Sequence, residues 1–87
     1  MDDGVRVWLV ERSYGDKGLV TLVYATPDGD RHVRMQRSSN MLRTTEVTAA
    51  TAVDPDRLTP VTDDADRERY AAEAERMRDR HDPDDAV

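Results

Sequence analysis

The sequence predicts a single α+β domain, in which an antiparallel β-meander of three or four strands precedes one C-terminal α-helix packed on one face of the sheet. Two observations lead to this fold class. Residues 5–14, 19–26 and 31–38 are rich in β-branched and aromatic side chains and are bounded by Gly or Asp, which is typical of strands. Residues 63–81 have the capping residues and apolar spacing of a helix.

The first strand carries apolar side chains on both of its faces. Val7 and Leu9 alternate with Trp8 and Val10, and alternate residues of a strand point to opposite faces. In a regular strand Tyr14 shares the face of Trp8 and Val10. We therefore expect the helix to cover one face of the sheet, and the chain's own loops or another molecule to cover the other.

The connection between the second and third strands is the strongest local signal in the sequence. In the segment TPDGD (residues 26–30), proline suits the first turn position and glycine suits a left-handed one. This pattern predicts a type I turn closed by a G1 bulge. Such a turn sets Thr26 opposite Asp30, and counting back from it sets Val23 opposite Val33.

The next part of the chain leaves an alternative open. Residues 44–53 alternate weakly, which suits either a fourth strand at the edge of the sheet or a loop laid across it. Residues 54–60 contain two prolines and indicate a turn or a short 3₁₀ segment. Leu58 is the one residue there that can anchor the segment in the core.

The C-terminal helix has recognisable ends. Thr62 or Asp63 can cap its N-terminus, acidic residues crowd its first turns, and basic residues lie in its last turn, as the helix dipole favours. Pro83 cannot continue the helix. The apolar stripe consists of Tyr70, Ala74 and Met77. We predict one domain at residues 1–81 and a frayed acidic tail at residues 82–87.

Composition indicates the environment of the protein. The chain has 19 acidic and 13 basic residues, a net charge of −6, with 14 Asp, 12 Arg and no Ile. An acidic excess of this kind favours a protein kept soluble in concentrated salt, and an ordinary acidic protein from a GC-rich mesophile is the alternative. The acidic N-terminus lacks the positive charge of an export signal. No apolar run approaches the roughly 18 residues of a membrane span. We therefore predict a cytoplasmic, halophilic protein with no membrane association.

We predict a non-enzymatic protein-interaction module, which binds a protein partner or forms a homodimer through a sheet face or edge. The chain has no Cys, no Gly-rich phosphate loop and no nucleophile elbow, and its two His fit no ligand spacing, so we expect no catalytic residue, cofactor or metal. Because exposed Trp is common at interfaces, Trp8, Val10 and Tyr14 are candidates for the partner surface. The alternative places Trp8 in the core beneath the helix.

The third strand completes the candidate surface and supports an alternative function. Arg31, Arg34 and Arg37 lie in a basic stretch at residues 31–43, and guanidinium charge beside aromatic rings is typical of nucleic-acid platforms. The opposing interpretation is that these are solvated strand residues. The acidic net charge favours the second interpretation, and so does the weakening of phosphate contacts in concentrated salt.

Three segments together resemble a family of small uncharacterised haloarchaeal proteins that form a domain of unknown function. They are VWLVERSY (residues 7–14), YATPDGDR (residues 24–31) and DRERYAAEAERMRDRHDPDD (residues 66–85). The similarity spans nearly the whole chain. The resemblance implies a halophilic cytoplasm, and it transfers no catalytic or binding residue.

Overall fold

The computed structural model describes residues 4–38 and 47–87, which form one antiparallel sheet and one long helix. The strands are β1 (Val5–Tyr14), β2 (Leu19–Ala25), β3 (Arg31–Ser38), β4 (Ala50–Val53) and β5 (Thr59–Pro60), and the helix is α1 (Asp64–Arg80). The strand order is β4-β1-β2-β3-β5. The predicted α+β class, antiparallel sheet and C-terminal helix are confirmed, while the sheet has five strands instead of three or four.

Strand β1 contains a β-bulge. Leu9 pairs with Tyr24 of β2 and Glu11 pairs with Val23, so Val10 is an extra residue in the ladder. An extra residue reverses the alternation of the strand. The residues after the bulge therefore lie on the opposite faces from those that a regular strand would give them.

This bulge separates Tyr14 from Trp8. Tyr14 pairs with Val20 and Trp8 pairs with Ala25, and these two partners belong to the clusters on opposite faces of the sheet. The expectation that Tyr14 shares the face of Trp8 and Val10 is therefore wrong. It assumed an unbroken strand, and no Gly in this segment of the sequence marks the bulge.

Each face of the sheet has its own apolar cluster. On the helix face, Trp8 and Val10 of β1 pack with Tyr70 and Ala74 of α1. On the far face, the buried cluster consists of Val7, Leu9, Val20, Leu22, Tyr24, Val33, Val53 and Leu58. Leu58 is 9% exposed and anchors the segment before β5 in the far-face core, as the sequence predicts.

The β2–β3 hairpin has a longer loop than the sequence predicts. Tyr24 pairs with Val33, and the Thr26 N–H donates to the Arg31 carbonyl at 3.0 Å. The predicted register, which sets Thr26 opposite Asp30, is therefore wrong by one residue. This shift changes the partner of every residue along the hairpin.

Contacts outside the hairpin account for the extra loop residue. The Asp30 carbonyl accepts a hydrogen bond from the Val61 N–H at 2.8 Å, so Asp30 extends the β3–β5 pairing instead of closing the turn. Gly29, at φ 74°, packs so closely on α1 that a Cβ there would clash with the Arg67 carbonyl oxygen. The loop is thus held by α1 and β5, which local turn preferences do not take into account.

The region predicted as an edge strand or a loop at residues 44–53 is a strand in part. Ala50–Val53 form β4, which pairs with the first residues of β1. Residues 47–49 lead into this strand, and residues 44–46 lie outside the described residues. The strand order places β4 at one edge of the sheet.

Helix α1 begins at one of its two predicted caps. The Asp63 carboxylate accepts the N–H groups of Ala65 and Asp66 at 2.8 and 3.2 Å. These hydrogen bonds satisfy two of the N–H groups that a helix leaves without partners in its first turn. From this start Tyr70 and Ala74 become buried against the sheet.

Residues 83–87 lie beside the chain that leads into β4. Three backbone hydrogen bonds of 2.8 to 3.0 Å join the segments. They run from Ala50 N–H to the Pro83 carbonyl, from Ala49 N–H to the Asp85 carbonyl and from Val87 N–H to the Val47 carbonyl. The sequence predicts a frayed tail here, whereas the structure gives this segment backbone partners.

Candidate interaction surface

Trp8 and Val10, which head the predicted partner surface, are core residues. Both lie on the helix face, where they are 4% and 7% exposed. The structure thus places Trp8 beneath the helix, in agreement with the alternative interpretation of the sequence. Neither side chain is accessible to a partner.

The structure brings the other four predicted residues together only in part. Tyr14, which is 72% exposed, and Arg37 flank Val20 in one row across the far face. By the alternation of β3, Arg31 lies on the same face at the other end of the strand, and Arg34 lies on the helix face. The far face therefore carries Tyr14 on β1 and Arg37 on β3, with Val20 of β2 between them.

Arg12, which an unbroken strand would place on the face of Trp8 and Val10, adds to this charge. After the bulge, Arg12 pairs with Leu22 and so lies on the far face, one row from Tyr14. Burial raises the pKa of the Tyr24 phenol, and the nearby guanidinium groups of Arg12 and Arg37 lower it in part. Only the bulge, which has no local sequence signal, moves Arg12 to this face.

The outer edge of β3 is paired at its beginning. In an antiparallel ladder, the backbone groups of alternate residues point away from a given neighbour. Because Thr26 bonds to Arg31, the outward groups of β3 belong to its even-numbered residues. Strand β5 and the residue after it meet the first of these positions, where Thr59 pairs with His32 and Val61 with Asp30.

Beyond β5, no strand of residues 4–38 and 47–87 pairs with the outer edge of β3, which we call the open edge. The next outward positions are Arg34 and Gln36. Within residues 4–38 and 47–87, the Arg34 N–H and carbonyl and the Gln36 N–H have no hydrogen-bond partner. The structure therefore presents three adjacent main-chain groups at this edge.

The fourth outward group of this stretch is the Gln36 carbonyl, which accepts a hydrogen bond from the side chain of Arg37. Its Nη1 donates to the Gln36 carbonyl at 2.9 Å, and its Nη2 lies 3.7 Å from the Met35 sulfur. The guanidinium thus lies along the strand's own edge. Charged side chains at an edge are one way in which proteins discourage strand pairing.

The opposite edge, at β4, is covered by the chain itself. The Ala50 N–H bonds to the Pro83 carbonyl, and the Ala50 carbonyl accepts the Thr48 hydroxyl at 2.7 Å. Ala52 is the next outward position, and the strand ends at Val53. Little of this edge remains for another strand.

A polar network on the helix side attaches α1 and β5 to the sheet. Arg69 donates to the Glu11 carboxylate at 2.9 Å and lies over the Tyr70 ring, 4.9 Å from its centroid. The His32 ring lies 6.0 Å from the Tyr70 ring, and its Nδ1 is 3.1 Å from the Thr59 carbonyl oxygen. Sequence reasoning missed the Glu11–Arg69 pair because its members are 58 residues apart and no periodicity relates them.

The two His are not neighbours in a ligand set. His32 contacts Thr59, whereas the His81 Nδ1 lies 3.8 Å from the Asp85 carboxylate. In the part of the chain that the structure describes, no group of three His, Cys, Asp or Glu side chains is placed to hold a metal ion. The same residues include no helix with the length and hydropathy needed to cross a bilayer.

Comparison with known proteins identifies a matching family whose function is unknown. A family model described as a family of unknown function (DUF7967) matches residues 1–87. No curated protein matches the chain, and no solved structure does. The comparisons therefore assign no substrate, partner or functional residue.

Proposed function

The chain belongs to the DUF7967 family, a family of unknown function, and we propose that it is a non-enzymatic protein-interaction module. The module accepts an extended segment of a partner at the open edge of β3. Adding a strand to an exposed sheet edge is a recurrent way of binding peptides, because main-chain hydrogen bonds supply the affinity. The single observation that carries the proposal is the row of open main-chain groups at Arg34 and Gln36.

The geometry of the edge suits a short and reversible contact. Val33 and Met35 bond inwards to β2, so a strand added outside β3 does not disturb the existing ladder. The open groups offer three main-chain hydrogen bonds, and each contributes about 1 kcal/mol net. We expect a weak, transient interaction.

The faces of the sheet offer less than its edge. The helix face is covered by α1, and the residues of the far-face cluster are buried. Tyr14 and Leu19 are the large hydrophobic residues that remain exposed in the described part of the chain, and both lie at one end of the β1–β2 hairpin. The open edge therefore supports association better than either face.

Two variants of one residue test the proposal. Gln36→Pro removes an open donor, and it leaves the pairing with β2 intact because the Gln36 N–H points outwards. Gln36→Ala keeps the donor and serves as the matched control. We expect chemical cross-linking in a native lysate to yield the same adducts for the wild type and Gln36→Ala, and to lose them for Gln36→Pro. Equal adducts for all three chains, with unchanged circular dichroism, would contradict the proposal.

We propose a halophilic cytosol as the setting of this interaction. The support is the composition, in which acidic residues exceed basic ones by six and Lys is nearly absent. Thermal melting across a KCl series tests the setting. We expect the melting temperature to rise with KCl concentration, and full stability in dilute buffer counts against a halophilic protein.

A second candidate function, binding of single-stranded nucleic acid, is favoured by the exposed ring of Tyr14. This ring shares the far face with Arg12 and Arg37, and bases stack on aromatic rings beside basic groups. Fluorescence anisotropy with a labelled single-stranded oligonucleotide tests it. This candidate requires binding that Tyr14→Ala weakens and that Gln36→Pro leaves unchanged.

A further inference from the structure

We infer that the segment bound at the open edge of β3 is acidic, with one carboxylate that meets Arg34 and a second, three residues away, that meets Arg37. The inference rests on the proposed function, because it names the chemistry of the occupant of the same edge. Strand β3 itself contains three Arg, one His and no acidic residue. A paired strand places its side chains directly opposite those of its neighbour, where opposite charges attract.

The spacing of the two arginines determines the pattern that the segment must have. Arg34 lies on the helix face and Arg37 on the far face. Residues three apart in an extended segment also point to opposite faces, so two carboxylates with that spacing reach both guanidinium groups at once. Arg31 is less available, because it pairs with Pro60 of β5.

The present position of the Arg37 side chain favours an acidic strand over a neutral one. Its guanidinium occupies the Gln36 carbonyl, which is the acceptor that an incoming strand needs. A neutral strand displaces this guanidinium and offers it only uncharged acceptors in return. A strand with a carboxylate opposite Arg37 offers it a charged acceptor, and charge-assisted hydrogen bonds are stronger than neutral ones.

A second copy of the chain is a poorer occupant of this edge. Antiparallel pairing of β3 with itself sets Arg34 opposite Arg34 of the second copy, or diagonal to it after a shift of two residues along the ladder. Like charges that face one another across strands are destabilising. An acidic segment from a different protein avoids this repulsion.

The negative net charge of the chain does not prevent the contact. Residues 54–87 contain 12 of the 19 acidic residues, whereas β3 contains none. Exposed charges farther apart than about 10 Å are largely screened at an ionic strength of 0.1 M. The arginines beside the edge therefore dominate what a bound segment experiences.

The experiment compares two short extended peptides of the same Thr- and Val-rich sequence. One carries Glu at two positions three residues apart, and the other carries Gln at both. Titration into the ¹⁵N-labelled full chain is followed by NMR at low and at multimolar KCl. We expect both peptides to shift the Arg34 and Gln36 amide signals, with the Glu peptide binding about tenfold more tightly at low KCl, as two exposed ion pairs permit. Multimolar KCl should reduce this preference without abolishing it, because the Debye length at 1 M is about 3 Å and guanidinium and carboxylate atoms in direct contact are no farther apart.

Variants identify the arginines responsible. Arg34→Gln and Arg37→Gln should each reduce the preference for the Glu peptide severalfold, and Arg31→Gln is the matched control that should leave it unchanged. Equal binding of the two peptides overturns the inference and leaves the proposed function standing. If neither peptide shifts the Arg34 and Gln36 signals, the proposed function fails as well. An oligonucleotide that shifts the Tyr14 and Arg37 signals, where the Glu peptide does not, overturns the inference in favour of nucleic acid.

Discussion

The two edges of the sheet are protected by different means. At the β4 edge, residues 83–87 of the same chain supply backbone partners to residues 47–50. At the β3 edge, β5 pairs with only Arg31 and His32, and the edge beyond them is flanked by arginines. Unpaired strand edges are templates for association, so among residues 4–38 and 47–87 this difference leaves the β3 edge as the place for strand addition.

The difference shows that an edge covered by hydrogen bonds and an open edge flanked by charge are not equivalent. The backbone groups of Ala49 and Ala50 are already bonded and reject every incoming strand alike. The guanidinium on the Gln36 carbonyl is displaced most easily by a strand that supplies a carboxylate. Protection by charge is therefore selective, and this selectivity is what an interaction module requires.

The largest expected effect comes from removing the buried side chain of Trp8, whose strand pairs with the covered edge strand β4. Trp8 pairs with Ala50 of β4 and is 4% exposed beneath α1. Trp8→Ala should lower the free energy of unfolding by about 4 kcal/mol, because it removes a large buried ring and leaves a cavity. Urea denaturation measures this loss. Tyr14→Ala is the control, and its 72% exposed side chain should cost much less. Equal losses for the two variants would place Trp8 outside the core.

The next effect comes from the loop that brings β5 to the open edge. Gly29→Ala forces a Cβ against the Arg67 carbonyl of α1 at a φ of 74°, so the loop or the helix must move. We expect the free energy of unfolding to fall by about 3 kcal/mol, from steric conflict and backbone strain together. In Gly15→Ala, the control, the new Cβ meets the Leu19 carbonyl oxygen at an ordinary 3.6 Å. A neutral result for Gly29→Ala would show that the loop does not dock on the helix.

Deletion of residues 83–87 should make the two edges alike. The three backbone hydrogen bonds to residues 47–50 are lost, and we expect the free energy of unfolding to fall by about 2 kcal/mol after the released entropy is allowed for. Light scattering should also show self-association through the uncovered β4. Adding Ala52→Pro, at the remaining outward position of that edge, should suppress this association.

Hydrogen exchange on the intact chain checks the same segment without a mutation. Bonded amides exchange slowly, so the Ala49, Ala50 and Val87 amides should be protected. Exchange at the rate of an unfolded peptide would support the frayed tail that the sequence predicts.

The smallest expected effect is a pH dependence in the loop before β3. The Asp28 carboxylate accepts the Thr26 hydroxyl at 2.6 Å and the Asp30 N–H at 2.9 Å, and these hydrogen bonds hold its pKa below the usual Asp value. A carboxyl group with a lower pKa in the folded state stabilises the fold at pH values above its unfolded-state pKa of about 3.9. This stabilisation is lost as the pH falls through the folded-state pKa.

Asp28→Asn isolates this contribution. Because Asp28 is exposed, we expect the variant to lose less than about 1 kcal/mol at neutral pH. The difference from the wild type should vanish at low pH, where the wild-type carboxyl is protonated. Urea midpoints measured across the acid range provide the test. A constant difference at every pH would assign the effect to loop geometry and not to the carboxylate.

Residues that act through their near neighbours in sequence could be predicted. The β-branched segments at residues 5–14, 19–26 and 31–38 become β1, β2 and β3, and Asp63 caps α1. Leu58 is buried, as expected for the one residue of residues 54–60 that can anchor this segment in the core. Strand and helix formation, capping and turn position depend on short stretches of chain, so local patterns contain the information.

The candidate surface could be predicted only in part, because its position depends on strand order and register. Arg34 and Arg37 are recognisable in the sequence as charged residues of a strand. The sequence does not show that β3 is next to last in the strand order, or that β5 pairs with only two of its residues. The bulge at Val10 moved Tyr14 and Arg12 to the far face, and contacts with Val61 and α1 shifted the hairpin register. These features arise from backbone groups that meet across long stretches of chain. Every residue other than proline carries the same N–H and carbonyl groups, so the sequence does not show which of these groups pair. Side-chain patterns determined the strands and the helix, and the tertiary packing of these elements determined which edge remained open.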